Sequence, residues 1–258
     1  MKNIRGERDR IVDIIENDGL TTHFQPICRG DGKVFGYEAL SRFKGYAGFP
    51  GIADLFTASI RTGTILSLDM YCRRNAIREA SGLIKNSEEH LFINICPETL
   101  LSPAHRGGIT DNFVDQWGLS KERIILEITE ETAISNYSLL KSAVSYYRVK
   151  GYRIAIDDFG IGFGGLKMLS IIRPDYVKID RHFIQNIDKD FVNLAVVESV
   201  AVLCHRLDMK VIAEGVERAE EFTFADSLGI ELFQGFYMGR PSPTGAVSQN
   251  KLNRYSTS

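Results

Sequence analysis

The chain has 258 residues, 44% of them hydrophobic and 25% charged, with a formal net charge of −2. That size suits one large domain or two small ones with a substantial core, and the near-neutral balance gives no general field for a nucleic-acid polymer, leaving only a local basic patch as a route to one. No apolar run nears the ~20 residues of a membrane span, the first ten residues are too charged for a signal peptide, and Cys28, Cys72, Cys96 and Cys204 are too scattered for a zinc site or disulfide framework.

The cysteines therefore read as reduced thiols of a cytosolic protein, with no membrane contact through this segment. In chain order, Ile4, Ile11, Ile14 and Ile15 recur at helical spacing, and Asn17-Asp18-Gly19 stops the helix. This first segment, 1–19, reads as a helix or linker packed outside the core. Thr22–Ile27 and Val34–Arg42 read as strands joined by the turn Gly30-Asp31-Gly32, a hairpin whose first strand runs antiparallel to its second. Alternation follows: a helix over Ile65–Lys85, a strand over Leu91–Ile95, a short helix over Asp111–Trp117 and a strand over Arg123–Ile128. Tyr137–Lys150 is helical with Gly151 as its cap, and Arg153–Asp158 is a strand. Leu166–Ile171, Phe191–Asp208 and Arg218–Leu228 read as helices, alternating with strands at Asp175–Asp180, Lys210–Ala213 and Glu231–Gln234. Eight strands mostly alternating with helices predict an α/β fold, a (β/α)₈ barrel or, failing that, an open doubly wound sheet. No composition break divides the chain, so one domain is expected over 20–247, with a frayed polar tail at 248–258.

Polar residues fall repeatedly at the ends of these strands: Glu38, Asn94, Glu127, Asp157, Asp158, Asp180 and Glu214. A carboxylate beside a buried strand is costly unless a cation compensates it. Each one alone reads as a surface residue just past its strand. The set, at the C-terminal ends of barrel strands, reads as a ring of oxygen ligands around a hard cation. Asp157-Asp158 is either a helix N-cap with a second acid or a pair that needs cations beside it. The glycine-rich stretch that follows, 160–165, matches neither the dinucleotide fingerprint nor a P-loop. Lys178, between Val177 and Ile179, is either an ion-pair partner of these acids or a catalytic, phosphate-neutralising group. Glu130, Asp180 and Glu217 are candidates for orienting ligands or loops. The five histidines, His23, His90, His105, His182 and His205, form no ligand-spaced cluster and read as structural, as does Trp117.

Tyr37-Glu38-Ala39-Leu40-Ser41-Arg42 carries the Glu-Ala-Leu signature of the EAL domain. Further segments agree in order: Phe24-Gln25-Pro26-Ile27, Phe92-Ile93-Asn94-Ile95, Leu126-Glu127-Ile128-Thr129-Glu130, Asp157-Asp158-Phe159-Gly160, Val177-Lys178-Ile179-Asp180, Ala213-Glu214-Gly215-Val216-Glu217 and Gln234-Gly235. The chain resembles this family over about residues 20–245. The resemblance implies a modified TIM barrel with an antiparallel first strand. It also implies a bacterial signalling phosphodiesterase that hydrolyses cyclic di-GMP to linear pGpG with two Mg²⁺ or Mn²⁺ ions, Ca²⁺ being inhibitory. Family members often form homodimers through the region after the Asp-Asp pair, and protein partners in signalling are implied. Carried onto this sequence, Glu38, Asn94, Glu127 and Asp157 resemble the ligands of one ion, with Asp157 bridging to a second held by Asp158. Lys178 resembles the lysine on the attacking water or phosphate, and Glu214 the general base or water-positioning group. Gln25, Arg42 and Gln234 match substrate-side residues, and Glu130 matches the glutamate that holds the loop after the Asp-Asp pair.

The chain departs from the family in that loop. Ile161, Gly164 and Gly165 stand where the pattern carries a threonine and two serines. The stretch from Phe49 to Phe56 also departs, on the guanine-binding side. A working enzyme, a non-catalytic cyclic di-GMP receptor and a protein-interaction module remain as readings. If the loop is a weakness, Thr at 161 and Ser at 164 and 165 are expected to raise activity.

Overall fold

The computed structural model describes residues 2–84, 88–102, 108–130, 136–162 and 164–247. The tail at 248–258, His105, Phe163 and the end of the helix expected to reach Lys85 lie outside the described residues. Helix α1 (Lys2–Glu16) precedes the hairpin of β1 (Leu20–Arg29) and β2 (Val34–Phe43). Helices α2 (Ile52–Thr62) and α3 (Ile65–Ala80) lead to β3 (His90–Asn94). Helices α4 (Pro97–Leu100) and α5 (Ile109–Gln116) lead to β4 (Ile124–Thr129), and α6 (Tyr137–Val149) to β5 (Arg153–Phe159). Then come α7 (Gly165–Ile172), β6 (Tyr176–Ile179), α8 (Arg181–Ile184), α9 (Phe191–Arg206), β7 (Lys210–Ala213), α10 (Ala219–Ser227) and β8 (Leu232–Gln234).

The eight strands close into a barrel, which rules out the open doubly wound alternative. Strand β1 runs antiparallel to both β2 and β8, with Ile27 opposite Gln234 at the closure, and the other pairings are parallel. The reversal begins at the predicted turn, where Gly32 takes a φ of +82° and Asp31 Oδ1 accepts the Lys33 N–H at 3.0 Å. Three helices were not legible. α2 follows Pro50-Gly51, a pair that reads as a turn, yet Leu55 and Ala58 repeat at helical spacing and are buried. α4 and α8 are single turns of four residues, too short for a periodic signal.

Inside the barrel lies a ring of buried side chains, one from each strand: Ile27, Phe35, Phe92, Ile125, Ala155, Tyr176, Ile212 and Leu232. A strand returns to the same face every second residue. Two positions beyond this apolar ring therefore come Asn94, Glu127, Asp157, Lys178, Glu214 and Gln234, with Gln25 two positions before Ile27 on the reversed strand. Glu38 lies three positions from Phe35, which regular alternation would turn outward. The pairing slips beside it, from Ile27↔Gly36 to Cys28↔Val34, leaving Phe35 as the extra residue of a β-bulge. The bulge brings Glu38 back into phase with the inward-facing polar layer.

A second, larger core fills the space between strands and helices, where Leu126, Ile156 and Val177 join Leu140, Val144, Met168 and Val197. Helix α1 stays outside both, as its spacing predicts. Ile11 and Ile14 pack with Leu55 and Ala58 of α2 and Leu68 and Tyr71 of α3.

Candidate active site

The polar layer converges on one ammonium group. Lys178 Nζ lies 2.8 Å from Glu127 Oε1, 2.8 Å from Asp157 Oδ1, 2.8 Å from Glu214 Oε1 and 3.2 Å from Glu38 Oε2. Burial alone would pull the Lys178 ammonium down, but Asp157, Glu127, Glu214 and Glu38 outweigh it and hold it well above its ordinary value. Four acids share one lysine, and their titration divides accordingly. Burial and the neighbouring carboxylates, only partly offset by Lys178, push Glu127 and Glu214 well above the usual carboxylate range and raise Asp157. Burial also pushes Glu38 up, but Lys178, Gln234 and Asn94 together bring it below the usual range.

Amides brace the cluster. Gln234 Nε2 donates to Glu38 Oε2 at 2.6 Å and lies 3.3 Å from Gln25 Oε1, while Gln25 Nε2 donates to the Gly239 carbonyl at 3.2 Å. Asn94 Nδ2 donates to Glu38 Oε1 at 3.1 Å. Glu130 is buried beneath the loop after Asp158, and its carboxylate accepts the Gly160 N–H at 2.7 Å.

Three sequence candidates stand off from this centre. Arg42 donates to its neighbour's carbonyl at 2.8 Å and lines, with Asn94, a cavity of about 450 Å³ between the barrel mouth and helices α2 and α3. Asp180 accepts the His182 N–H at 2.8 Å as the cap of α8, and exposed Glu217 lies 3.9 Å from the Arg181 guanidinium. Both line a smaller cleft of about 230 Å³ that reaches Asp158, Glu214 and Gln234. His90 stacks on Phe35 at 4.4 Å and Trp117 packs near Phe113 at 6.2 Å, both structural as expected. Sequence reasoning missed Asp69 and Arg73, which line the larger cavity and form a buried pair at 2.6 Å. Their i, i+4 spacing on α3 was the available signal.

The donor set suits a hard cation. Oxygens of Glu38, Glu127 and Asp157 lie within 4.8 Å of one another, as do those of Asp157, Asp158 and Glu214, so Asp157 belongs to both groups. Glu127 Oε2 is buried without a hydrogen-bond partner among the described residues, the condition of a carboxylate oxygen placed for a ligand outside the chain. All-oxygen donors favour Mg²⁺, Mn²⁺ or Ca²⁺ over zinc. No helix among the described residues is long and apolar enough to cross a membrane.

The chain is similar to known proteins. The chain is 30% identical over 248 residues to the cyclic di-GMP phosphodiesterase NbdA of Pseudomonas aeruginosa, covering 91% of this chain and 30% of that protein. A standalone EAL protein of Vibrio cholerae, solved with c-di-GMP bound, is 31% identical with a TM-score of 0.75, covering 86% of this chain and 92% of that one. BlrP1 of Klebsiella pneumoniae, solved as a manganese/c-di-GMP complex, is 30% identical with a TM-score of 0.78, covering 87% of this chain and 56% of that one. The chain spans less than half the length of the first curated relatives it matches. The model of the EAL domain matches residues 8–241, which takes in the hairpin, the closed barrel and every residue of the acid cluster, and the chain belongs to the EAL domain family.

Proposed function

We propose that this domain hydrolyses cyclic di-GMP to linear pGpG with two divalent ions, Mg²⁺ or Mn²⁺. The observation that carries the reading is the pair of acid groups sharing Asp157, with a buried Glu127 oxygen left without a hydrogen bond. Glu38, Asn94, Glu127 and Asp157 would hold one ion, and Asp157 and Asp158 the second. Two such ions, when bound, neutralise the phosphate and favour both the attacking and leaving oxygens.

The chain's own groups do the rest. Lys178, buried beneath them, keeps four carboxylates together, and its charge would act from below on a phosphate seated over the cluster. Gln234 and Asn94 fix the Glu38 carboxylate from either side. Glu214, at the edge of the cleft with Asp158, takes the proton of the attacking water. The water oxygen then bonds to phosphorus, the bond to the 3′-oxygen breaks with its electron pair left on that oxygen, which takes up a proton to become the 3′-hydroxyl as Glu214 gives its own back to solvent, and one of the two phosphodiesters opens. Arg42, on the wall of the larger cavity, is suited to a phosphate oxygen. That cavity is within the size range of small-ligand sites and would take a purine. Gln25 supports the substrate side through Gln234, and Asp180 and Glu217 order the rim.

The reading extends to a homodimer formed around the segment after Asp158, to a cytosolic location, and to Ca²⁺ as an ion that supports binding without turnover. It also takes 20–247 as the working domain, with 1–19 as its approach. The test is incubation of the purified protein with cyclic di-GMP and Mg²⁺ or Mn²⁺, followed by chromatography of the nucleotides. Appearance of pGpG, abolished by chelator, is expected. Unchanged nucleotide, with calorimetric binding in Ca²⁺, would assign a receptor instead.

A further inference from the structure

The loop after the paired aspartates is gripped from both sides. Glu130 Oε2 accepts the Gly160 N–H at 2.7 Å and Oε1 accepts the Gly164 N–H at 3.2 Å, while the Glu130 N–H donates to the Asp157 carbonyl at 3.0 Å. One residue thus ties β5 to both ends of the loop. Its neighbours leave no room for side chains. A Cβ added at Gly165 would sit 2.7 Å from Glu130 Oε1 and 2.8 Å from the Phe159 ring. A Cβ added at Gly164 would sit 2.6 Å from the Tyr137 hydroxyl. Glu130 cannot swing aside without giving up two charge-assisted hydrogen bonds. Tyr137 is itself held by the Lys167 ammonium, 4.2 Å from its ring centroid. Between the grip and the acid cluster lies Asp158, at a φ of +53°. A non-glycine residue keeps that conformation when its surroundings impose it.

We propose that Gly164 and Gly165 are positioning residues. Lacking side chains, they let Glu130 and Tyr137 close on the loop, and the closed loop sets Asp158 for the second ion. The inference rests on the two-ion reading above and adds what this chain's departures do. It reverses the expectation drawn from the family pattern: serine at 164 or 165 forces the grip open instead of strengthening it. Exposed Ile161 lies apart from these contacts, so Thr at 161 serves as the control.

The test compares Gly164→Ala, Gly165→Ser, Tyr137→Phe, the double variant Gly164→Ala/Tyr137→Phe and the control Ile161→Thr, expected to behave as the parent does, with the parent chain. Amide exchange at Gly160 and residue 164 is read by NMR, Mn²⁺ binding by calorimetry and folding by thermal melting. Gly164→Ala and Gly165→Ser are expected to speed exchange at Gly160 about tenfold and to weaken Mn²⁺ binding by a similar factor. Adding Tyr137→Phe to Gly164→Ala should restore both, because the nearest remaining ring atom is 3.9 Å from the new Cβ. Parent-like exchange in Gly164→Ala, a double variant no better than the single one, or faster exchange with unchanged Mn²⁺ affinity would each overturn the proposal. Should Gly165→Ser not fold, the Gly164 pair carries the test. Exchange needs neither metal nor nucleotide, so a parent chain that leaves cyclic di-GMP intact would remove the hydrolase reading and leave the grip standing.

Discussion

Arg73 offers a measurable lever on the wall of the larger cavity. Its side chain is 0% exposed, and one guanidinium nitrogen lies 2.6 Å from Asp69 Oδ2, itself 3% exposed. A second nitrogen donates to Thr110 Oγ1 at 2.8 Å, joining α3 to α5. Arg73→Met keeps much of the aliphatic volume but leaves the Asp69 carboxylate buried with the Cys96 N–H, at 3.3 Å, as its hydrogen-bond donor. Removing one partner of a buried ion pair costs about 3–5 kcal/mol. For a domain of this size that corresponds to a fall of roughly 6–20 °C in melting temperature. Adding Asp69→Asn removes the stranded charge while keeping an acceptor for Cys96, so the double variant should recover at least ~1 kcal/mol over the single one. Urea unfolding followed by circular dichroism reads all three proteins. A single variant within ~1 kcal/mol of the parent, or a double variant whose losses simply add, would refute the view that Asp69 depends on Arg73.

Other outcomes follow from the same geometry. Glu38→Ala removes the acid held by Lys178, Gln234 and Asn94 and should reduce metal-dependent hydrolysis to background; undiminished turnover would sink the proposed ligand set. Mn²⁺ at about 100 times its dissociation constant should stabilise the protein by ~2.7 kcal/mol, or roughly 5–10 °C in a melting scan. Glu127→Gln should blunt that rise, and a scan that Mn²⁺ leaves unmoved would count against the site. Glu221 gives a pH signature away from the acid cluster. Burial pushes its carboxyl up, but the N–H groups of Asn186, Glu217 and Arg218 and the Arg218 guanidinium hold it below the usual range. A depressed folded value contributes stability that is fully present above the unfolded value of about 4.3 and is lost as pH falls through the folded one. Glu221→Gln should therefore flatten the acid limb of a stability–pH curve, and an unchanged limb would rule the contribution out.

Much of this was readable from the chain because barrel strands impose a simple rule. An apolar residue at the ring and a polar one two positions on is visible in Phe92/Asn94, Ile125/Glu127, Ala155/Asp157 and Ile212/Glu214 without any structure. Lys178 was readable as a partner of the acids, but only the fold gives it four of them within 3.2 Å. Glu38 breaks the two-residue rule, and the bulge at Phe35 that corrects it depends on the register between strands. Helix α2 was hidden by Pro50-Gly51, whose turn signal masks the helical spacing behind it. The glycines at 164 and 165 misled most: in sequence they look like lost hydroxyls, whereas in space they are the sites on which two side chains close. What fills a glycine's missing side-chain volume belongs to residues far away in sequence.

The reversed first strand changes where the polypeptide comes into the barrel. In an all-parallel barrel the first strand starts at the floor, opposite the catalytic face. Here Leu20, the first residue of β1, is paired with Phe43, the last residue of β2, so the strand starts at the rim. Helix α1 consequently lies beside the mouth, with Ile11 and Ile14 against α2, and α2 contributes Ile52, Phe56 and Ile60 to the wall of the larger cavity. Helix α2 therefore stands between α1 and that cavity, packing against α1 through Leu55 and Ala58. The strand reversal thus brings the chain into the barrel on the same side as the larger cavity.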